Sequence, residues 1–245
     1  MTSVLDRPAP APDLTVPYGT RPEQVIDLRL PPPARRQAGR VPLIVLVHGG
    51  FWRPAYDRRA GMAEEGWTGP FNDIAAALDR IGDIAAPHGA DISRITWAGH
   101  SAGGHLVLWA AARPGLPAGS PWPGPWSLCP AAHVVSLAGC SSLRLCAEWN
   151  LGSGAVRLLM GGGPDDVPER YAVADPAALP APPVPVTLVH GIDDDTVPLL
   201  MSQEFTAGHL VEIPGAGHFD LIDPQSRAWP RVLSVLAGTR SRGSP

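Results

Sequence analysis

Polar and apolar side chains alternate through Gln24-Val25-Ile26-Asp27-Leu28-Arg29-Leu30, as on a half-buried strand, and Pro31-Pro32-Pro33 ends the pattern. Leu43-Ile44-Val45-Leu46-Val47 is instead apolar at every position and runs into His48-Gly49-Gly50, which predicts a central parallel strand buried on both faces. The period then changes. Ile74, Leu78, Ile81 and Ala85 recur three or four residues apart between Phe71 and Ala86, with Asn72 and Asp73 suited to a first turn, so an amphipathic helix is expected there. Residues 92–98 read as the next strand, and residues 102–112 as a helix closed by Arg113-Pro114-Gly115. Further strands are expected at 133–138, 184–189 and 210–213, one or two helices within 143–160, and a closing helix at 228–237. Residues 199–207 leave room for only a short crossover helix, while 115–130 and the Ala- and Pro-rich 171–183 read as loops. Strands alternating with helices predict an α/β fold, a mostly parallel sheet with helices on both faces.

Composition narrows the class. At 245 residues and 44% hydrophobic, the chain suits a single domain over 18–238, between a flexible proline-rich arm at 1–17 and a flexible tail at 239–245. The 30 prolines and 27 glycines fall between the apolar runs and punctuate them. A net charge of -4 without Lys/Arg clusters excludes an electrostatic footprint for nucleic acid. Cys129, Cys140 and Cys146 are odd in number and lack metal-type spacing, so they read as small buried residues in a reducing compartment. With neither a signal-peptide stretch nor a long apolar run, no membrane association is expected, and the protein is expected to be soluble and cytoplasmic.

Chemistry enters at Gly99-His100-Ser101-Ala102-Gly103, where an expected strand gives way to an expected helix. A serine between glycines at such a junction has the composition of a nucleophile elbow, in which small neighbours let strand and helix approach while the hydroxyl projects. A neutral hydroxyl is a weak nucleophile, so Ser101 needs a base and an acid that orients the base. Both are available after late strands: Asp193-Asp194-Asp195 follow His190-Gly191-Ile192, and His218 lies in Gly215-Ala216-Gly217-His218-Phe219-Asp220. His48, His100, His105 and His190 sit beside glycine turns and read as bridges between loops. Phe51, Trp52 and Trp67 are candidate pocket aromatics.

Four ordered blocks resemble the α/β-hydrolase superfamily: His48-Gly49-Gly50-Phe51-Trp52-Arg53, Gly99-His100-Ser101-Ala102-Gly103-Gly104-His105, His190-Gly191-x-x-Asp194-x-x-Val197-Pro198 and Gly217-His218-Phe219-Asp220. The likeness is to its esterase branch related to kynurenine formamidase and acylaminoacyl-peptidase-like hydrolases, and it extends from about Tyr18 to the end of the last helix. It implies that Asp194 is the acid of a Ser101–His218–Asp194 triad. It also implies an oxyanion hole from the backbone N–H groups around Gly50 and Phe51 and that of Ala102. The substrate would be a small carboxylic ester or formamide-like amide, with no metal and no organic cofactor. One departure stands out. Residues 57–70 are too few for the helix and strand that such hydrolases carry there, so the sheet is expected to lack one central strand before the nucleophile strand. The alternative that follows is a catalytically impaired binding protein of the same fold.

Overall fold

The computed structural model describes residues 4–53, 66–122 and 131–238. Two strands, β1 (Leu14–Pro17) and β2 (Val25–Leu28), form an antiparallel hairpin apart from the main sheet, with Leu14 opposite Leu28. Residues 14–17 were expected in the flexible arm. What holds them is remote in sequence: Thr15 donates to Asp27, Arg29 donates to the carbonyls of Pro10 and Ala11, and Arg7 pairs with Asp223. Such partners leave no trace in local periodicity. The tail from 239 onward lies outside the described residues.

After the short helix α1 (Pro33–Gln37), the main sheet is built from β3 (Val41–Val47), β4 (Ala90–His100), β5 (His133–Leu137), β6 (Val186–Gly191) and β7 (His209–Ile213). All neighbours are parallel, and their spatial order is their order in the chain. Each therefore needs a crossover. These contain α2 (Gly69–Ala85), α3 (Ala102–Ala112), α4 (Leu143–Glu148), α5 (Leu151–Met160), α6 (Pro168–Ala174) and α7 (Leu200–Gln203), and α8 (Trp229–Leu236) follows the last strand. The stretch 171–183, expected as a loop, thus begins inside a helix; Pro168 at its first turn starts α6, and Tyr171 and Ala174 bury its inner face. No helix among the described residues is long and apolar enough to cross a membrane.

Helices cover both faces. On one, Ile95, Trp97, Val134 and Leu188 pack with α2, α3 and α4 through Phe71, Leu78, Trp109 and Leu143. On the other, Ala98, Val135, Val189 and Val211 pack with α8 through Val232 and Leu236. The expectation that residues 43–47 form a central strand covered on both faces is corrected here. Among the described residues β3 has a strand on one side only, and Ile44 and Leu46 are 41% and 68% exposed. The shortened segment that prompted the expectation of a missing strand falls mostly on 54–65, outside the described residues; Gly66–Thr68 form a 3-10 turn leading into α2. Its register with β4 shifts between Pro42 and Leu43 and is regular from Leu43 to Val47, pairing Leu46 with Ala98 and Val47 with Gly99.

Candidate active site

That register brings two loops to the same end of the sheet. Ser101 joins β4 to α3 with φ 57 and ψ -120, a backbone conformation that an L residue adopts only under strain. Its N–H donates to Leu137 O at 2.9 Å, tying the turn to β5. The flanking glycines are required by close approach. A Cβ on Gly99 would lie 2.1 Å from Gly103 O, and one on Gly103 would lie 2.2 Å from Val47 O. On the opposite loop, a Cβ on Gly49 would lie 3.0 Å from the Ser101 Cβ, so the His48-Gly49-Gly50 segment sits directly against the serine. Gly49, Gly50 and Ala102 line one cavity of about 180 Å³.

The candidate acid and base meet from two other strands. His218 Nδ1 lies 2.7 Å from Asp194 Oδ2, with both side chains buried. Asp194 also accepts from the N–H groups of Thr196 and Val197, at 2.9 and 2.8 Å, and His190 Nε2 lies 3.4 Å from its Oδ2. Burial alone would raise the Asp194 pKa, but the hydrogen bonds from His190, His218 and Val197 outweigh it and hold the carboxyl well below the usual range. An ionised Asp194 draws the His218 proton to Nδ1, which leaves Nε2 as an acceptor. Asp193 and Asp195 make no such contact with His218; the Asp193 N–H donates to Ala216 O and Asp195 accepts from Thr196 Oγ1.

The histidines read as bridges do connect loops. His100 Nε2 donates to the carbonyl of His218 at 3.0 Å, linking the residue before Ser101 to His218, and their rings are 4.5 Å apart. Burial, with the nearby His218, pushes the His100 pKa down to about 4. His190 donates to Val197 O and accepts from Ser202 Oγ, so it braces the turn that presents Asp194. Among the described residues no hydrogen bond joins the Ser101 hydroxyl to His218; the two are neighbours through His100. Such contacts are commonly loose until substrate closes them.

The aromatic candidates separate. Phe51 packs against the backbone of Gly152, where a Cβ would approach its ring to 2.3 Å. Trp52 is buried and donates its indole N–H to His105, although it also lines the cavity beside Ala102. Trp67 packs edge-on against Phe71 and Trp122, with the Arg170 guanidinium 5.7 Å from its ring centre. The dependence of the Phe51 loop on Gly152 escaped sequence reasoning. Its only trace was the Gly152-Ser153-Gly154 interruption, whose three residues are left-handed within α5. Among the described residues no three His, Cys, Asp or Glu side chains converge as metal ligands would, and Cys140 and Cys146 are buried and unlinked.

Comparison with known proteins places this architecture. Residues 58–208 match the model of the BD-FAE family. A truncated carbohydrate esterase from gut microbiota superposes with a TM-score of 0.68 at 20% identity, covering 83% of this chain and 87% of that one. An acetyl ester-xyloside bifunctional hydrolase from Caldicellulosiruptor lactoaceticus gives 0.65 at 18% identity, covering 92% and 95%. Esterase 2 of Thermogutta terrifontis, phosphonylated by sarin, gives 0.66 at 20% identity, with 91% of each chain covered. The α/β fold is shared with all three. No match was found among curated protein sequences.

Proposed function

The chain belongs to the BD-FAE family, and from that premise we propose that it is a serine ester hydrolase working through Ser101, His218 and Asp194. The observation that carries the reading is the 2.7 Å contact between His218 and the buried, ionised carboxylate of Asp194, tied through His100 to the strained turn at Ser101. Ser101 Oγ attacks the carbonyl carbon while His218 Nε2 takes its proton, and Asp194 stabilises the imidazolium that forms. Charge then develops on the carbonyl oxygen. The N–H of Ala102 and those around Gly50 and Phe51 are the donors for it, each such donor being worth about 3 to 4 kcal/mol in comparable sites. His218 returns the proton to the leaving alcohol, and water deacylates the enzyme by the same route.

The esterase names of the similar structures favour a carboxylic ester over a formamide-like amide. Acetyl and other short acyl esters of carbohydrates are the substrate class we infer from them. The alternative of an impaired binding protein rested on a sheet too short to hold the oxyanion loop in place. Pairing of Val47 with Gly99 argues against it. A fluorophosphonate probe separates the readings: the folded protein is expected to label at Ser101 and Ser101→Ala to remain unlabelled. Wild-type protein that stays unlabelled would sink the hydrolase, and labelling that persists in Ser101→Ala would sink the site.

A further inference from the structure

The oxyanion loop is a strained piece of chain. Gly50, Phe51 and Trp52 have successive φ values of 126, 53 and 53, and only the first is a glycine. Bulky residues in the left-handed region are strained, and such a loop persists only where its surroundings over-determine it. The parent strand contributes little cover on its outer face, since Leu46 is 68% exposed. Something beyond the strand must hold the loop.

One attachment runs inward. Trp52 Nε1 donates to His105 Nδ1 at 3.1 Å, and the two rings meet edge-on with centres 5.3 Å apart. His105 is fully buried on α3, one turn beyond the nucleophile, and its N–H bonds to Ser101 O. Its other ring nitrogen, Nε2, donates to Ala174 O at 2.9 Å, at the end of α6. A carbonyl can only accept, so this contact places the ring proton on Nε2 and leaves Nδ1 as the acceptor that the indole needs. Burial also pushes the His105 pKa down to about 4, which keeps that acceptor available at neutral pH. The side chain is thus a three-way joint between the nucleophile's helix, the oxyanion loop and α6.

We propose that His105 is a positioning residue for the oxyanion loop, and that the Trp52–His105 hydrogen bond sets the loop's N–H groups at the distance from Ser101 that the developing oxyanion requires. The proposal rests on the hydrolase reading above. It goes beyond that reading in giving a role to a histidine that touches neither substrate nor reacting atoms.

The test uses three variants of the full chain. Trp52→Phe keeps the ring and loses the donor; His105→Leu keeps bulk and loses the acceptor; His105→Gln retains an amide able both to accept and to donate. Turnover of p-nitrophenyl acetate and the rate of fluorophosphonate labelling are read beside a thermal melt. Trp52→Phe and His105→Leu are expected to lower kcat on the order of 10- to 100-fold with KM within about twofold, the scale of a misplaced catalytic group. Labelling should slow in parallel, and His105→Gln should recover most of both rates. If His105→Leu fails to fold, Trp52→Phe decides. Wild-type protein that labels, with Trp52→Phe labelling and turning over at the same rate, overturns the proposal alone. Folded wild-type protein that neither labels nor turns over overturns the hydrolase reading and this proposal with it.

Discussion

The two halves of the site are held in different ways. Asp194 and His218 follow β6 and β7, on the part of the sheet where Val189 and Val211 pack beneath α8 and Leu188 is buried on the opposite face. There a buried turn fixes the candidate acid, through the N–H groups of Thr196 and Val197 and the His190 side chain that braces them. Gly50 and Phe51 follow β3, which among the described residues is paired on one side only and leaves Ile44 and Leu46 exposed. Side chains do the holding on that half: Trp52 on His105, Arg53 on Gly152 O, and the Phe51 ring against Gly152. A buried strand presents its group on a turn that is itself buried and hydrogen-bonded. An open-faced strand needs tethers, and each tether is a place where one substitution reaches the chemistry.

The largest expected effect lies on the turn-held half. Asp194→Asn should lower kcat for p-nitrophenyl acetate by about 10⁴-fold, the loss that follows when the base is held in the wrong tautomer. The melting temperature should change far less than the activity. A loss no greater than that of Trp52→Phe would break the comparison, because the acid would then matter no more than a tether.

A smaller effect should appear on acidification. Burial drives the His105 pKa from an ordinary 6.5 down to about 4, so between these values the unfolded chain binds a proton there that the folded chain refuses. Stability from this group is complete above pH 6.5 and is lost as pH falls towards 4. His100, depressed by burial and by His218, acts in the same direction; Asp175, whose pKa burial raises, acts in the opposite one. Asp194 titrates below this window and stays ionised throughout it. Melts of wild type and His105→Gln from pH 7.5 to 4.5 isolate the one histidine. The variant's melting temperature should gain on the wild type as pH falls, and a constant gap would mean that His105 is not a buried neutral ring.

Much of this arrangement was legible in the sequence because its causes are local. The run at residues 43–47, the elbow glycines and the helical spacing from Ile74 to Ala85 each reflect a constraint within a few residues. The acid was legible only through the family-like spacing His190-Gly191-x-x-Asp194, since three adjacent aspartates suit a turn equally well. Other features depend on partners far along the chain. β1 stands on a hairpin partner that the proline-rich composition around it concealed. The seat of Phe51 on Gly152 joins residues about a hundred positions apart. Trp52 reads as a pocket aromatic from its neighbours and turns inward because His105, on another element, offers a lone pair. An all-apolar strand reads as central for the same reason: composition reports that β3 can be buried, whereas cover depends on what the crossover after it supplies.

That last distinction yields the smallest expected effect. Leu46→Thr replaces a side chain that is 68% exposed with a β-branched residue suited to a strand, so its cost should stay within about 0.5 kcal/mol. Leu188→Ala, at a fully buried position on β6, is the reference in the same urea titrations and should cost about 2 to 5 kcal/mol. Turnover of p-nitrophenyl acetate by Leu46→Thr should stay at the wild-type level, because the tethers act beyond β3 and do not pass through this side chain. A cost for Leu46→Thr approaching that of Leu188→Ala would show β3 to be covered in solution, and the contrast between a turn-held and a tethered half would then fail. Unchanged stability with reduced turnover would fail it differently, by making the exposed face of β3 itself part of what holds the oxyanion loop.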